Sequence, residues 1–247
     1  MISRKQSKFI KSLKIKKFRE RENAFIVEGA KNVNELLNSN YQTLLIVGTE
    51  EYFFENQEMI GGIETALCHA QDLSDLGTFK SNNECLAVAV RKELAETNLR
   101  PDDFLIALDE VGDPGNLGTI IRTLDWFGFS KVICSKGTAD FYNPKVINAT
   151  MGSFTRVHPV YTDLVPFIKK YDIPVYGADI NGVSISEWSP EKPSIIVMGS
   201  ESHGISLAVR RELNNFVHIP GLGGAESLNV GMATGIFCYH LRNMLAT

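Results

Sequence analysis

Three polar, glycine-rich segments carry most of the residues whose types could do chemistry, and each follows an apolar run. The first is Asp109-Glu110-Val111-Gly112-Asp113-Pro114-Gly115-Asn116-Leu117-Gly118, with Arg122 six residues after Asn116. The second is Gly199-Ser200-Glu201-Ser202-His203-Gly204, and the third is Ile219-Pro220-Gly221-Leu222-Gly223-Gly224-Ala225-Glu226-Ser227-Leu228-Asn229-Val230. A loop that runs from a strand into a helix offers free backbone amides and the positive end of a helix dipole, so each segment is suited to a polar ligand. Several chemistries are absent. The first segment lacks GxxxxGK, its glycines are spaced GxxGxxG, and the next apolar run ends in Cys134-Ser135-Lys136 rather than an acid, which argues against the usual nucleotide-cofactor fold. The second lacks GxSxG, and His203 has no identifiable Asp partner, so a Ser-His-Asp triad is a poor reading. His69, His158, His218 and His240 have no zinc-ligand spacing, and no metal is expected. Plainer roles compete: Arg122 stands where it can pair with Asp125 at i,i+3, and Ser227 or Asn229 can cap a helix.

The elements that must position these loops are read from periodicity. Strands are expected at 104–108, 131–134, 157–160, 174–176, 194–198 and 216–219, with helices over 116–127 and 228–245. Unalternating Val and Ile runs separated by helices suit a mostly parallel sheet covered on both faces, and its strand-end loops converge at the carboxyl edge. Upstream, strands at 24–27, 43–47 and 86–90 alternate with helices near 33–37, 50–58 and 73–79, a smaller α/β domain. A polar stretch over 91–103 containing Pro101-Asp102-Asp103 reads as the linker. The expected domains are 1–100 and 101–247. Gly231, Ala233 and Gly235 in the last helix permit close packing, against the core or another subunit.

The 247 residues carry a formal net charge of −4, which divides unevenly. Residues 1–21 hold Arg4, Lys5, Lys8, Lys11, Lys14, Lys16, Lys17, Arg19 and Arg21 against Glu20 alone, leaving +8 in the leader and −12 beyond it. Phe9, Ile10, Leu13 and Ile15 interleave with these charges, as on a helix with one apolar side, and the outward charge can meet a polyanion. Cys68, Cys85, Cys134 and Cys238 form no CxxC pair, no apolar run approaches a membrane span, and no apolar h-region follows the basic start. A reduced, cytoplasmic protein away from membranes is expected.

Taken together, Asp113-Pro114-Gly115-Asn116-Leu117-Gly118 with Arg122, Gly199-Ser200-Glu201 with Gly204, and Ile219-Pro220 with Glu226-Ser227-Leu228-Asn229-Val230 resemble the three signature motifs of the SpoU-type (TrmH-like) RNA 2'-O-ribose methyltransferases. The resemblance covers about residues 104–245, while Phe25-Ile26-Val27-Glu28-Gly29 and the basic leader resemble that family's ribosomal-protein-like substrate-binding domain. It implies an S-adenosylmethionine-dependent enzyme, an α/β catalytic domain with a deep trefoil knot, and a homodimer. By resemblance Arg122 is the catalytic arginine contacting the target nucleotide, Asn116 organises the first loop, Glu201 supports the active site, and Ser227 and Asn229 form the polar pair of the third motif. The backbone around Gly199, Ile219 and Leu228 would cradle the cofactor, with Ala178 or Asp179 nearby. Gly221 departs from the family, which often has methionine after Ile-Pro.

A sulfonium already carries an activated methyl group, so the protein's task is to align the ribose oxygen and assist proton loss, without metal or covalent nucleophile. Arginine stays protonated, so Arg122 is expected to stabilise charge or hold a phosphate rather than act as a simple base. The expected substrate is structured RNA, ribosomal RNA ahead of transfer RNA; the competing reading is an RNA-binding or ribosome-assembly protein without turnover. Arg122, Lys145 and Arg156 are expected to line a local basic patch on the acidic body.

Overall fold

The computed structural model describes residues 1–93 and 104–244, which fall into two compact units. The first comprises Met1–Glu93 together with Asp140–Thr155, and the second holds the rest of the described chain. The expected linker therefore lies, for 94–103, outside the described residues, as does the last residue of the expected final helix.

The first unit begins with α1 (Arg4–Ser12), α2 (Lys16–Glu22), β1 (Ala24–Glu28), α3 (Ala30–Leu37), β2 (Thr43–Gly48), α4 (Glu50–Glu55), α5 (Gln57–Ile60), β3 (Thr65–Leu67), α6 (Ala70–Leu76) and β4 (Cys85–Val90). Its sheet has the order β1-β4-β2-β3, antiparallel except for the β2–β3 pair. Side chains alternate across a strand, so β1 serves two cores. Ala24 and Ile26 join Leu86 and Val88 in a cluster with Ile10 and Leu13 of the leader and Leu73 and Leu76 near α6. Phe25 points the other way, with ring centroids 4.7 Å from Tyr142 and 6.1 Å from Phe154. The segment 140–155 thus helps cover this sheet, although the sequence reading placed it in the second domain. Burying a phenylalanine such as Phe25 or Phe154 is worth about 1.5–3 kcal/mol.

The leader keeps its expected apolar side through Phe9, Ile10 and Leu13, but as two helices with Ile15 outside. A Ser3–Gln6 capping box starts α1, which stops at Ser12, and α2 begins at Lys16 after an exposed Ile15. Ile10 and Leu13 are fully buried, so the basic stretch is an integral part of the first core. Arg19 is also buried: Nη1 donates to the Leu13 and Lys14 carbonyls at 2.9 Å and Nη2 donates to Asp140 Oδ2 at 2.6 Å. One of the nine leader cations is therefore committed to structure.

The second unit continues with β5 (Phe104–Leu108), α7 (Pro114–Trp126) and β6 (Lys131–Ser135); α8 (Pro144–Thr150) belongs to the first unit. Then come β7 (His158–Thr162), α9 (Leu164–Lys170), β8 (Val175–Ser184), β9 (Ser194–Met198), α10 (Leu207–Arg210), β10 (Asn215–His218) and α11 (Val230–Asn243). Six strands in the order β10-β8-β9-β5-β6-β7 pair in parallel throughout. β5 and β9 are buried along their whole length, which is why their sequences do not alternate. Leu164, Phe167 and Ile168 pack on Leu105, Ile195 and Val197 on one face. α7 packs along α11, where a Cβ on Gly231 would stand 3.1 Å from the Thr119 side chain, so the small residues of the last helix serve packing within the chain. The three polar segments leave β5, β9 and β10 at their carboxyl ends, so a parallel sheet delivers them to one edge.

Candidate functional site

The first loop is built by capping. Asp113 Oδ1 accepts the Asn116 amide N–H at 2.8 Å, and Pro114 follows at the start of α7, where a missing N–H costs nothing. That fixes Asn116 in the first turn. Upstream, Asp109 is buried at the end of β5, and its Oδ2 accepts the Ser206 N–H at 2.7 Å, tying the first loop to the segment after the second.

The second loop is a tight return. Ser200 and Gly204 exchange backbone hydrogen bonds of 2.9 Å in each direction. A Cβ at Gly199 would collide with the Gly204 backbone, and Gly204 takes φ of +65°, so the two bracketing glycines are steric requirements. Glu201 is thereby presented to solvent at the turn.

The third loop ends at Asn229, which caps α11: its Oδ1 accepts the N–H groups of Gly231 at 2.9 Å and Met232 at 3.3 Å. This leaves Nδ2 to donate to Asn116 Oδ1 at 2.8 Å, and Asn116 Nδ2 donates to Glu201 Oε1. One amide therefore joins residues from all three motifs, with its polarity dictated by the cap. Asn116 stands in the first turn of α7, so the Glu201 carboxylate is held at that helix's positive dipole end. The structure thus brings Asn116, Glu201 and Asn229 together. Ser227 is exposed and makes no hydrogen bond among the described residues; of the two cap candidates, Asn229 serves.

Arg122 is exposed on α7 and forms no ion pair or hydrogen bond among the described residues. The competing i,i+3 pairing is not what holds it, because Asp125 takes the Arg156 guanidinium, Nε lying 2.9 and 3.1 Å from the two carboxylate oxygens. Arg156 is accordingly not a free cation of the expected basic patch, and Lys145 lies in the first unit.

A cleft of about 700 Å³ opens beside the third loop. Ala178 and Asp179 of β8 line it, together with Ile219, Ser227 and Leu228; Gly199 and Glu201 are not among its walls. Its volume suits a ligand of nucleoside size, and its walls mix apolar side chains with a few polar groups. Asp179 is the anchored acid of that wall. Burial would raise its pKa, but hydrogen bonds from Arg210 and Asn181 outweigh this and hold the carboxyl below its ordinary value. Sequence reasoning assigned no role to Arg210, nor to Asp109, whose signal was an acid closing an otherwise apolar strand.

The four cysteines are free and buried, and burial pushes Cys238 up to about 12, so no thiolate is offered at neutral pH. Among the described residues no His/Cys/Asp/Glu group is placed to hold a metal ion, and no helix is long and apolar enough to cross a membrane.

Similarity to known proteins agrees with this arrangement. Residues 103–239 match the SpoU rRNA Methylase family and residues 5–87 the MRM3-like substrate binding domain. The chain is 30% identical over 236 residues to the 23S rRNA (guanosine(2553)-2'-O)-methyltransferase RlmP of Bacillus subtilis, covering 94% of each chain. Among solved structures, a TrmH-family protein from Porphyromonas gingivalis is 37% identical with a TM-score of 0.83, covering 98% of this chain and 99% of that one. An AdoMet-bound rRNA methyltransferase from Sinorhizobium meliloti is 27% identical with a TM-score of 0.86, covering 100% and 98%. With motifs, sheet order and these likenesses in agreement, the chain belongs to the SpoU rRNA methylase family of S-adenosylmethionine-dependent methyltransferases.

Proposed function

We propose that this protein transfers a methyl group from S-adenosylmethionine to the ribose 2'-hydroxyl of one nucleotide in structured ribosomal RNA. The observation that carries the reading is the Asn116 bridge, which joins Glu201 and Asn229 across three strand-end loops beside a nucleoside-sized cleft. When bound, S-adenosylmethionine supplies an electrophilic methyl group on sulfur. The chain's own residues then have separable tasks. Ala178, Asp179, Ile219, Ser227 and Leu228 wall the cofactor, and Gly199 keeps the second loop close-packed. Asn116, oriented by Asn229, holds Glu201, and Arg122 remains free to meet the RNA. As a permanent cation it stabilises the 2'-oxygen as its proton leaves or grips the adjacent phosphate.

Ribosomal RNA is favoured because the chain joins an MRM3-like substrate binding domain to an SpoU rRNA methylase domain and because the B. subtilis relative is named for 23S rRNA. Exposed Arg4, Lys8 and Lys11, on one face of α1, provide phosphate contacts. The reading includes a deep trefoil knot, consistent with β8 lying between β9 and β10, and a homodimer that covers the exposed Trp126, Met232 and Tyr239 of α7 and α11. Buried free cysteines suit a reduced cytoplasmic setting. The test is transfer of labelled methyl to whole ribosomal and transfer RNA pools with mapping of the product. Incorporation at an rRNA ribose is expected; labelling of transfer RNA alone would redirect the substrate, and none in either pool would leave an RNA-binding protein without turnover.

A further inference from the structure

The charged wall of the cleft is held by a device that the three motifs do not include. Asp179 Oδ1 accepts both the backbone N–H of Asn181 at 3.0 Å and its Nδ2 at 3.1 Å, and Asp179 Oδ2 accepts Arg210 Nη1. A carboxylate has about four lone-pair directions, so one acceptor site on Oδ2 is left over. Arg210 is itself fixed. Its guanidinium lies 4.5 Å from the centroid of the Phe216 ring, and it closes α10, whose N-cap Ser206 donates its backbone N–H to the buried Asp109. Asp109 directly follows β5, the strand that leads into the Asn116 loop. A continuous path of bonds and packing therefore runs from the first motif to the cleft wall. A half-exposed ion pair contributes little to stability, so orientation is the better explanation for so many constraints on one carboxylate.

We propose that Arg210 is a positioning residue that aims the remaining lone pair of Asp179 at a hydrogen-bond donor of the bound nucleoside cofactor. The donor class is a ribose hydroxyl or the ammonium of the amino-acid arm, and the proposal rests on the cleft being the cofactor site.

The probes are S-adenosylhomocysteine, which carries both donors, and 5'-methylthioadenosine, which lacks the amino-acid arm, titrated calorimetrically into the full chain. Asp179→Asn and Arg210→Met should each weaken S-adenosylhomocysteine about tenfold to a hundredfold, as expected for a hydrogen bond to a charged acceptor. KM for S-adenosylmethionine should rise with them while kcat at saturation stays within about twofold. Arg210→Lys, which keeps one charged donor, should recover most of the loss. If 5'-methylthioadenosine weakens in parallel, the donor is a ribose hydroxyl; if it does not, the donor is the ammonium. Wild-type affinity in both variants, or a fall in kcat and melting temperature that lysine does not rescue, overturns the proposal. A wild-type chain that binds neither nucleoside instead overturns the reading of the cleft, and this inference with it.

Discussion

Arg19 on α2 and Arg122 on α7 are the same residue type put to opposite uses. Arg19 comes from the most basic stretch of the chain, where charge alone suggests nucleic acid, yet its side chain is buried and donates to two carbonyls and to Asp140. Arg122 comes from the acidic body and stands exposed on a helix whose neighbouring acid is already taken by Arg156. The contrast extends to the carboxylates. Glu28 of the first unit is buried and accepts the Thr78 hydroxyl at 2.8 Å and the Phe79 N–H at 3.0 Å, which pins the chain after α6. Glu201 of the second is exposed and meets only the shared Asn116 amide among the described residues. A charge buried and held by its own domain is architecture; a charge oriented on one side and open on the other is available for a substrate.

The largest effect that could break this contrast is on stability. Arg19→Ala should cost about 3–5 kcal/mol, because it leaves Asp140 without its partner. Denaturant melts would show this, while turnover per folded molecule should stay close to wild type. Next comes Asn116→Ala, expected to lower kcat on the order of a hundredfold with melting nearly unchanged, since the amide is exposed. A double-mutant cycle with Glu201→Gln should be strongly non-additive if the two act together. Asn229→Ala removes both the α11 cap and the hold on Asn116, so it should cost about 0.5–2 kcal/mol in stability and reduce turnover as well. The smallest effects belong to the leader. Replacing Arg4, Lys8 and Lys11 by Gln should weaken RNA binding and flatten its salt dependence by about 0.7–0.9 per contact, leaving S-adenosylhomocysteine affinity unchanged. Deleting residues 1–21 would not make this test, because Ile10 and Leu13 belong to the core.

Much of the second unit was legible in the sequence because unbroken apolar strands followed by glycine-rich loops have few structural meanings. The buried runs 104–108 and 194–198 appear with the expected bounds as β5 and β9. The three-loop convergence follows from a parallel sheet, but the wiring does not: that Asn229 rather than Ser227 caps α11, and so dictates the direction of the Asn116 amide, is a matter of local hydrogen-bond geometry. Short elements such as α10 and β3 were missed because four or three residues carry no readable period. The placement of 140–155 was missed for a different reason. Nothing in the spacing of Tyr142 and Phe154 tells which sheet they cover. The apolar side of the leader was legible from Phe9, Ile10 and Leu13, but the break between α1 and α2 and the exposure of Ile15 were not.

The central claim is that the free arginine of α7 serves methyl transfer to a ribose. It is tested most directly by comparing wild type and Arg122→Ala in single-turnover methylation of ribosomal RNA, with the modified nucleotide mapped and S-adenosylhomocysteine binding measured in parallel. The account predicts a 2'-O-methylated ribose, a loss of rate on the order of a hundredfold to a thousandfold in the variant, and unchanged binding of the nucleoside. Methylation on a base, or a variant that turns over like wild type, would contradict it.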